Sequence, residues 1–110
     1  MQAARLAAEE RSKIASVYLW TLAKEPDAKL RDRAAAYLGG FADQPGAAPA
    51  LLSALSAAPE WNVRASAAEA LGAFAGDSRV PPALRAAAEN DANEAVRETA
   101  RRSLERLAGR

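Results

Sequence analysis

The chain has 110 residues, of which 50% are hydrophobic, 26% charged and 5% aromatic, and its formal net charge is +1. It contains neither cysteine nor histidine, which excludes disulfides, thiol catalysis and the commonest side chain for general-base and metal-ligand roles. The small net charge creates no field that would favour nucleic acid or an acidic partner. We therefore expect one non-catalytic domain that requires no cofactor and no metal.

Residues 2–23 lack proline and glycine and predict one long helix, with apolar side chains at helical spacing: Leu6, Ile14, Val17, Tyr18 and Leu22. Ser12 is an alternative N-cap that would divide this stretch, but Ala15 does not complete a capping box. No apolar run reaches the roughly 18 residues of a membrane span, and residues 1–13 lack a signal-peptide apolar region. These features favour a cytoplasmic location.

The next two helices are separated by turns that the composition marks clearly. Glu25-Pro26-Asp27 ends the first helix, and Asp27 is suited to cap the second. The apolar stripe of the second helix is predicted to comprise Leu30, Ala34, Tyr37, Leu38 and Phe41. A third helix is expected over 47–57, with Pro49 in its first turn and an inward set of Ala48, Leu51, Leu52 and Leu55.

Three further helices are predicted in the second half of the chain. The fourth is expected from about Asn62 to Ala75, before Gly76. Pro81-Pro82 begin the fifth, which continues to Glu89. Asn93 is the predicted cap of the sixth, which runs from Glu94 to about Leu107.

The sequence repeats itself every 33 residues. Leu30-Arg31, Val63-Arg64 and Val96-Arg97 are related by this step, and further sets follow it: Ala34, Ala67 and Ala100; Leu38, Leu71 and Leu104. Three copies without insertion predict an all-α solenoid of about three helix-turn-helix units. The units are expected over 12–41, 45–74 and 78–107, with a helical extension over 2–11.

The last unit carries polar residues at positions that stack in the earlier copies. Arg101 stands where Ala35 and Ala68 stand, and Ser103 stands where Tyr37 and Ala70 stand. Such residues are typical of a terminal capping repeat. The N-terminal side shows no such change, so we expect this segment to be the C-terminal part of a longer protein. We also expect its first helix to self-associate weakly or to dock on a preceding domain.

Ala70-Leu71-Gly72, the stretch from Gly76 to Leu84, and Asn93-Glu94-Ala95-Val96-Arg97 resemble HEAT-like repeats of the phycobilisome-lyase type. The resemblance covers about residues 12–107. It implies a right-handed superhelix whose second helices line the concave side. Repeats of this type occur in bilin lyases, hydroxylases and many scaffolds, and the His-Glu metal pairs of the di-iron hydroxylases have no match here.

Arg31, Arg64 and Arg97 flank the apolar stripe, about 100° of helix rotation from the preceding apolar residue. A row of guanidinium groups can bind anions. Their period equals that of the repeat, however, which favours a structural ladder that bonds loop carbonyls or acidic groups of the neighbouring repeat. The cluster Arg97, Arg101, Arg102 and Arg106 is interleaved with glutamates, which favours a solvated salt-bridged face over a nucleic-acid site.

Partner binding is expected where the copies differ. Trp61 stands where the other copies have Ala28 and Glu94, and exposed tryptophan is enriched at binding hot spots, although either Trp61 or Trp20 can instead cover a neighbouring repeat. The outward face of the second helices is predicted to be nearly all small: Asp32, Ala35, Ala36, Gly39, Ala65, Ala68, Glu69 and Gly72. Such a face admits a docked helix. The predicted partner surface comprises Trp20, Trp61, Ala65, Ala68, Glu69, Gly72 and Arg102.

The sequence therefore predicts a non-catalytic scaffold module that binds a partner protein or another domain of its parent chain. The first alternative is an accessory lobe of a bilin-lyase-like enzyme whose active site lies outside this segment. The second alternative is a nucleic-acid-binding module, which the charge pattern disfavours.

Overall fold

The computed structural model describes residues 2–109, with side chains from residue 7 onward, and all regular structure within that range is helical. The helices are α1 (Gln2–Lys24), α2 (Ala28–Leu38), α3 (Ala47–Ala57), α4 (Trp61–Leu71), α5 (Val80–Asn90) and α6 (Glu94–Ala108). The all-α prediction is confirmed. α1 runs through Ser12 without a break, so the alternative N-cap is wrong there. The side chain of Leu6, one of the apolar residues predicted along the first helix, lies outside the described side chains.

The helix starts follow from short-range hydrogen bonds. The Asp27 carboxylate accepts from Lys29 N at 2.9 Å, and Asn93 Oδ1 accepts from Ala95 N and Val96 N at 2.8 and 3.2 Å. Both predicted caps are confirmed. α4 ends at Leu71 and not at Ala75, because residues 72–74 form tight turns that bring the buried Phe74 back towards the core.

The helices form two layers, as the solenoid prediction requires. α1, α3 and α5 pack side by side in one layer, and α2, α4 and α6 pack side by side in the other. Consecutive helices of each hairpin, α1–α2, α3–α4 and α5–α6, join the layers. The result is a thin slab with principal extents of 46 × 35 × 16 Å, in which α4 contacts α2, α3, α5 and α6.

The core is built from alanine, leucine and valine, and its small members let the second helices approach closely. A Cβ placed on Gly39 would lie 3.2 Å from Ala70 Cα, and one placed on Gly72 would lie 2.9 Å from Ser103 Oγ. The two contacts are related by the 33-residue step. The α2–α4 and α4–α6 packings are therefore two copies of one interface.

The predicted outward face of the second helices is wrong at three positions. Ala35, Ala68 and Gly72 are buried between successive second helices. Their small size serves close helix packing, because α2, α4 and α6 stack sideways on one another. The predicted stripe of α2 is wrong in the opposite sense at Leu30 and Tyr37, which are exposed.

The two polar residues of the last unit have different environments. Arg101 is exposed and pairs with Glu98 at 2.8 Å, as expected at a capping position. Ser103, in contrast, is completely buried and donates its hydroxyl to the Ala68 carbonyl at 2.7 Å. Ser103 thus packs against α4 and does not face solvent, because its repeat position is the one that touches the preceding second helix.

Candidate partner-binding surface

α4 and α6 enclose a shallow groove of about 330 Å³, lined by Ala65, Ser66, Glu69, Thr99, Arg102 and Arg106. Of the predicted partner residues, the structure brings Ala65, Glu69 and Arg102 together here. Ala68 and Gly72 are buried and offer no accessible surface. We call the six lining residues the α4–α6 groove.

The charged side chains of the α4–α6 groove are weakly paired. Arg106 Nη1 lies 3.6 Å from Glu69 Oε1 and 3.3 Å from the Glu69 carbonyl, with both side chains substantially exposed. Arg102 Nη2 lies 3.4 Å from Thr99 Oγ1. Exposed ion pairs contribute little to stability, so charges on a bound segment could replace these contacts at small cost.

Ser66, Thr99 and Arg106 are groove residues that the sequence reasoning missed. Ser66 and Thr99 are 33 residues apart, so a hydroxyl recurs at one repeat position. This repeated hydroxyl is the sequence feature that could have identified the groove. Ser66 also donates to Asp32, which accepts a second hydrogen bond from Asn62 Nδ2 at 3.2 Å, so the polar row continues from α4 onto α2.

The two tryptophans lie in different parts of the molecule. Trp61 is the first residue of α4 and is 51% exposed. Residues four apart share a helix side, which places Trp61 on the side of Ala65 and Glu69. Trp20 is 59% exposed on α1, in the other layer, and the structure does not bring it to the groove.

Each arginine of the 33-residue series bonds the turn of its own hairpin. Arg31 Nε donates to the Glu25 carbonyl at 2.7 Å, Arg64 Nη1 to the Ala58 carbonyl at 3.0 Å, and Arg97 Nη1 to the Asp91 carbonyl at 2.7 Å. The three acceptors are themselves 33 residues apart. The arginines therefore fix the turn that joins the two helices of each unit.

Two of these arginines also form ion pairs with the following unit. Arg31 donates to both carboxylate oxygens of Glu60, at 2.6 and 3.0 Å, and Arg64 donates to both of Asp91, at 2.9 and 3.1 Å. Bidentate pairs of this kind are geometrically specific and strong. The guanidinium groups of Arg31 and Arg64 are thus engaged within the protein and are not arranged as an anion-binding row.

These contacts shift the pKa values of the carboxyl groups. The hydrogen bonds from Arg31 lower the pKa of Glu60. Burial raises the pKa of Asp91, but hydrogen bonds from Arg64 and from the Asn93 amide outweigh it and leave the pKa below its ordinary value of 3.8. In the turn before α5, hydrogen bonds from Arg79 lower the pKa of Asp77 to about 2.

Three arginines of the basic cluster on α6 form hydrogen bonds within the protein, and Arg101 has the shortest ion pair among them. Arg97 bonds the Asp91 carbonyl, Arg101 bonds Glu98, and Arg106 bonds the Glu69 carbonyl. Among the side chains of residues 7–109, no group of three or more acidic residues is arranged to hold a metal ion. None of the helices described is long and apolar enough to cross a membrane.

Two layers of hairpins joined by a repeated arginine contact define an α-solenoid repeat protein. A family model for HEAT repeats matches residues 16–105, and the chain belongs to the HEAT repeat family. HEAT repeats commonly mediate protein–protein interaction. No curated protein matches the chain in sequence.

Proposed function

We propose that the chain is a non-catalytic scaffold module whose α4–α6 groove binds a helical or extended segment of a partner protein. The observation that carries this proposal is the groove itself, in which small and hydroxyl side chains adjoin weakly paired charges. Stacked helical repeats present extended surfaces of this kind to their partners. The absence of histidine and cysteine from the sequence supports a role without catalysis.

The composition of the groove indicates what kind of segment it accepts. Ala65, Ser66 and Thr99 leave room for another backbone to approach. The two hydroxyls already donate to Asp32 and to the Ala95 carbonyl, so their oxygens would accept from N–H groups of the bound segment. Glu69 on α4 faces Arg102 and Arg106 on α6, so the groove has one acidic and one basic wall. A segment carrying both charge signs would therefore bind in a preferred orientation.

Trp61 is the proposed anchor at the N-terminal end of α4. Its large half-exposed side chain lies on the side of the helix that leads to Ala65 and Glu69. Tryptophan side chains at interfaces carry a large share of binding energy. The repeat subtype is a further part of the proposal: the Asn93–Arg97 motif supports the phycobilisome-lyase type of HEAT-like repeat.

The proposal is tested with a displayed library of mixed-charge peptides, selected on the wild-type chain and measured against single variants. Trp61→Ala should weaken the selected peptides by about 2 kcal/mol or more, roughly 30-fold in Kd. Glu69→Lys should weaken them and change the preferred charge order. Trp20→Ala is the matched control and should bind as the wild type does.

A thermal melt of Trp61→Ala separates an anchor from a structural residue. A half-exposed anchor should leave stability within about 0.5 kcal/mol of the wild type. If the variant melts several degrees lower and binds the peptides normally, Trp61 is structural. If neither Trp61→Ala nor Glu69→Lys affects peptide binding, the α4–α6 groove is not the binding site.

A further inference from the structure

One end of the stack exposes apolar side chains at repeat positions that are buried in the later units. Leu30 is 41% exposed and Tyr37 is 56% exposed. At the corresponding positions of the later units, exposure does not exceed 5%: Val63, Val96, Ala70 and Ser103. Ile14 is likewise exposed where Ala47 and Val80 are buried. We call Ile14, Leu30 and Tyr37, together with Glu25, the end face.

The later units show which structure covers these positions. For the positions of Leu30 and Tyr37, which lie on a second helix, the second helix of the preceding unit provides the cover: α2 packs beside α4 and α4 beside α6, so that Gly39 of α2 meets Ala70 and Gly72 of α4 meets Ser103. Each covering helix presents an arginine followed, four and eight residues later, by small residues. The two examples are Arg31, Ala35, Gly39 and Arg64, Ala68, Gly72.

Glu25 gives the end face a carboxylate at the position that receives the covering arginine in the last unit, whereas the middle unit uses Glu60, which stands at the Asp27 position. Glu25 Oε1 accepts a hydrogen bond from Asp27 N at 3.2 Å, as Asp91 Oδ1 accepts one from Asn93 N at 2.9 Å. Glu25 and Asp91 occupy the same repeat position, and Asp91 also holds both donors of Arg64. Among the side chains of residues 7–109, none forms an ion pair with the Glu25 carboxylate.

We propose that the end face binds a helical hairpin of a partner protein. The contacting helix of that hairpin carries arginine, a small residue and glycine at successive intervals of four. Its arginine pairs with the Glu25 carboxylate, and its small residues cross Leu30 and Tyr37. The partner's last small residue would meet Tyr37 as Gly39 meets Ala70 within this protein. A Cβ placed on Gly39 would already lie 3.2 Å from Ala70, and Tyr37 is much larger, so the partner requires glycine there. This surface is separate from the α4–α6 groove and does not depend on it.

A second copy of the chain does not meet this requirement. In α6 the arginine position is kept as Arg97, but the two small positions are occupied by Arg101 and Glu105. Both residues are exposed. Head-to-tail stacking of two copies would press both charged groups against Leu30 and Tyr37, and burying charges on apolar surface is strongly unfavourable.

The same difference between α4 and α6 provides the test. A donor chain carries R101A and E105G, which give α6 the contact pattern of α4, and Y37E, which blocks its own end face. The acceptor is the wild-type chain. Sedimentation of the mixture should show a 1:1 complex at high micromolar concentration, whereas a Y37E chain with unaltered α6 should give none. A second donor with R101A and E105A should bind more weakly, because it lacks the glycine.

Acceptor variants identify the contact. Glu25→Gln should weaken the complex about tenfold by removing the charge that receives the arginine. Trp61→Ala in the acceptor should have no effect, so failure here is distinguishable from failure at the groove. Far-UV circular dichroism establishes that every chain is folded. Absence of a complex between folded chains would overturn the proposal, and so would undiminished binding by Glu25→Gln. Self-association of the wild-type chain that Tyr37→Glu abolishes would overturn it in favour of a second copy.

Discussion

Replacing three equivalent leucines by alanine should reveal how the stack is held together. Leu38, Leu71 and Leu104 occupy the same position of the second helix in the three units. Leu38 and Leu71 have no exposed surface, whereas Leu104 is only partly buried. The second helix of the next unit packs beside the helix of each of the first two leucines, α4 beside α2 and α6 beside α4. Among the described residues, no further helix follows α6.

The expected losses follow from this difference in burial. Removing a fully buried leucine side chain costs its transfer free energy and leaves a cavity, together about 2–5 kcal/mol. Leu71→Ala and Leu38→Ala should both fall in that range. Leu104→Ala should cost about 1–2 kcal/mol, because part of its side chain already contacts solvent and the space left opens to water. A 3 kcal/mol loss corresponds to a fall in Tm of roughly 10 °C or more in a domain of this size.

Urea unfolding measured by far-UV circular dichroism and by tryptophan fluorescence gives both the losses and a test of cooperativity. Trp20 reports on α1 and Trp61 on α4, so coincident curves establish two-state unfolding. The free energies then come from the midpoints at constant slope. Equal losses for Leu71→Ala and Leu104→Ala would refute the reasoning, because α6 would then be as enclosed as α4.

Three other predictions concern close packing, pH and charge. Gly39→Ala should lower Tm, because its Cβ would lie 3.2 Å from Ala70 Cα. In Gly76→Ala the new Cβ meets nothing within 4 Å, so stability should be unchanged or higher by up to about 1 kcal/mol. The reverse order of Tm values would contradict the α2–α4 packing. The pKa values of the Glu60, Asp77 and Asp91 carboxyl groups are lower in the folded protein than in the unfolded chain. These groups therefore stabilise the fold at any pH above their unfolded pKa values, and Tm should fall as the pH drops from about 5 towards 2. Asp91→Asn should reduce that dependence, and a Tm profile with the wild-type slope would exclude a contribution from this ion pair. Titration with duplex DNA at low and high salt should show no steep salt dependence, since the α6 arginines are interleaved with glutamates and the net charge is only +1. A steep slope would favour a nucleic-acid module.

The sequence by itself determined the features that depend on neighbouring residues or on the repeat. Asp27 and Asn93 cap their helices through amides two and three residues ahead, so a local pattern suffices to place both helix starts. The 33-residue step likewise requires that whatever contact Gly39 makes, Gly72 makes again in the next unit. For this reason the all-α solenoid could be predicted before any coordinates were known.

Only the tertiary structure decided which side of each second helix meets water. Small residues suit both an open docking face and a tightly packed helix pair, so the composition of Ala35, Ala68 and Gly72 does not distinguish the two. Because α2, α4 and α6 stack sideways, these small residues are buried between helices. The accessible part of the predicted surface is the neighbouring row at Ala65 and Glu69. The stacking also left Leu30 and Tyr37 exposed, because the burial of an apolar side chain depends on a neighbouring unit that lies far from it in sequence.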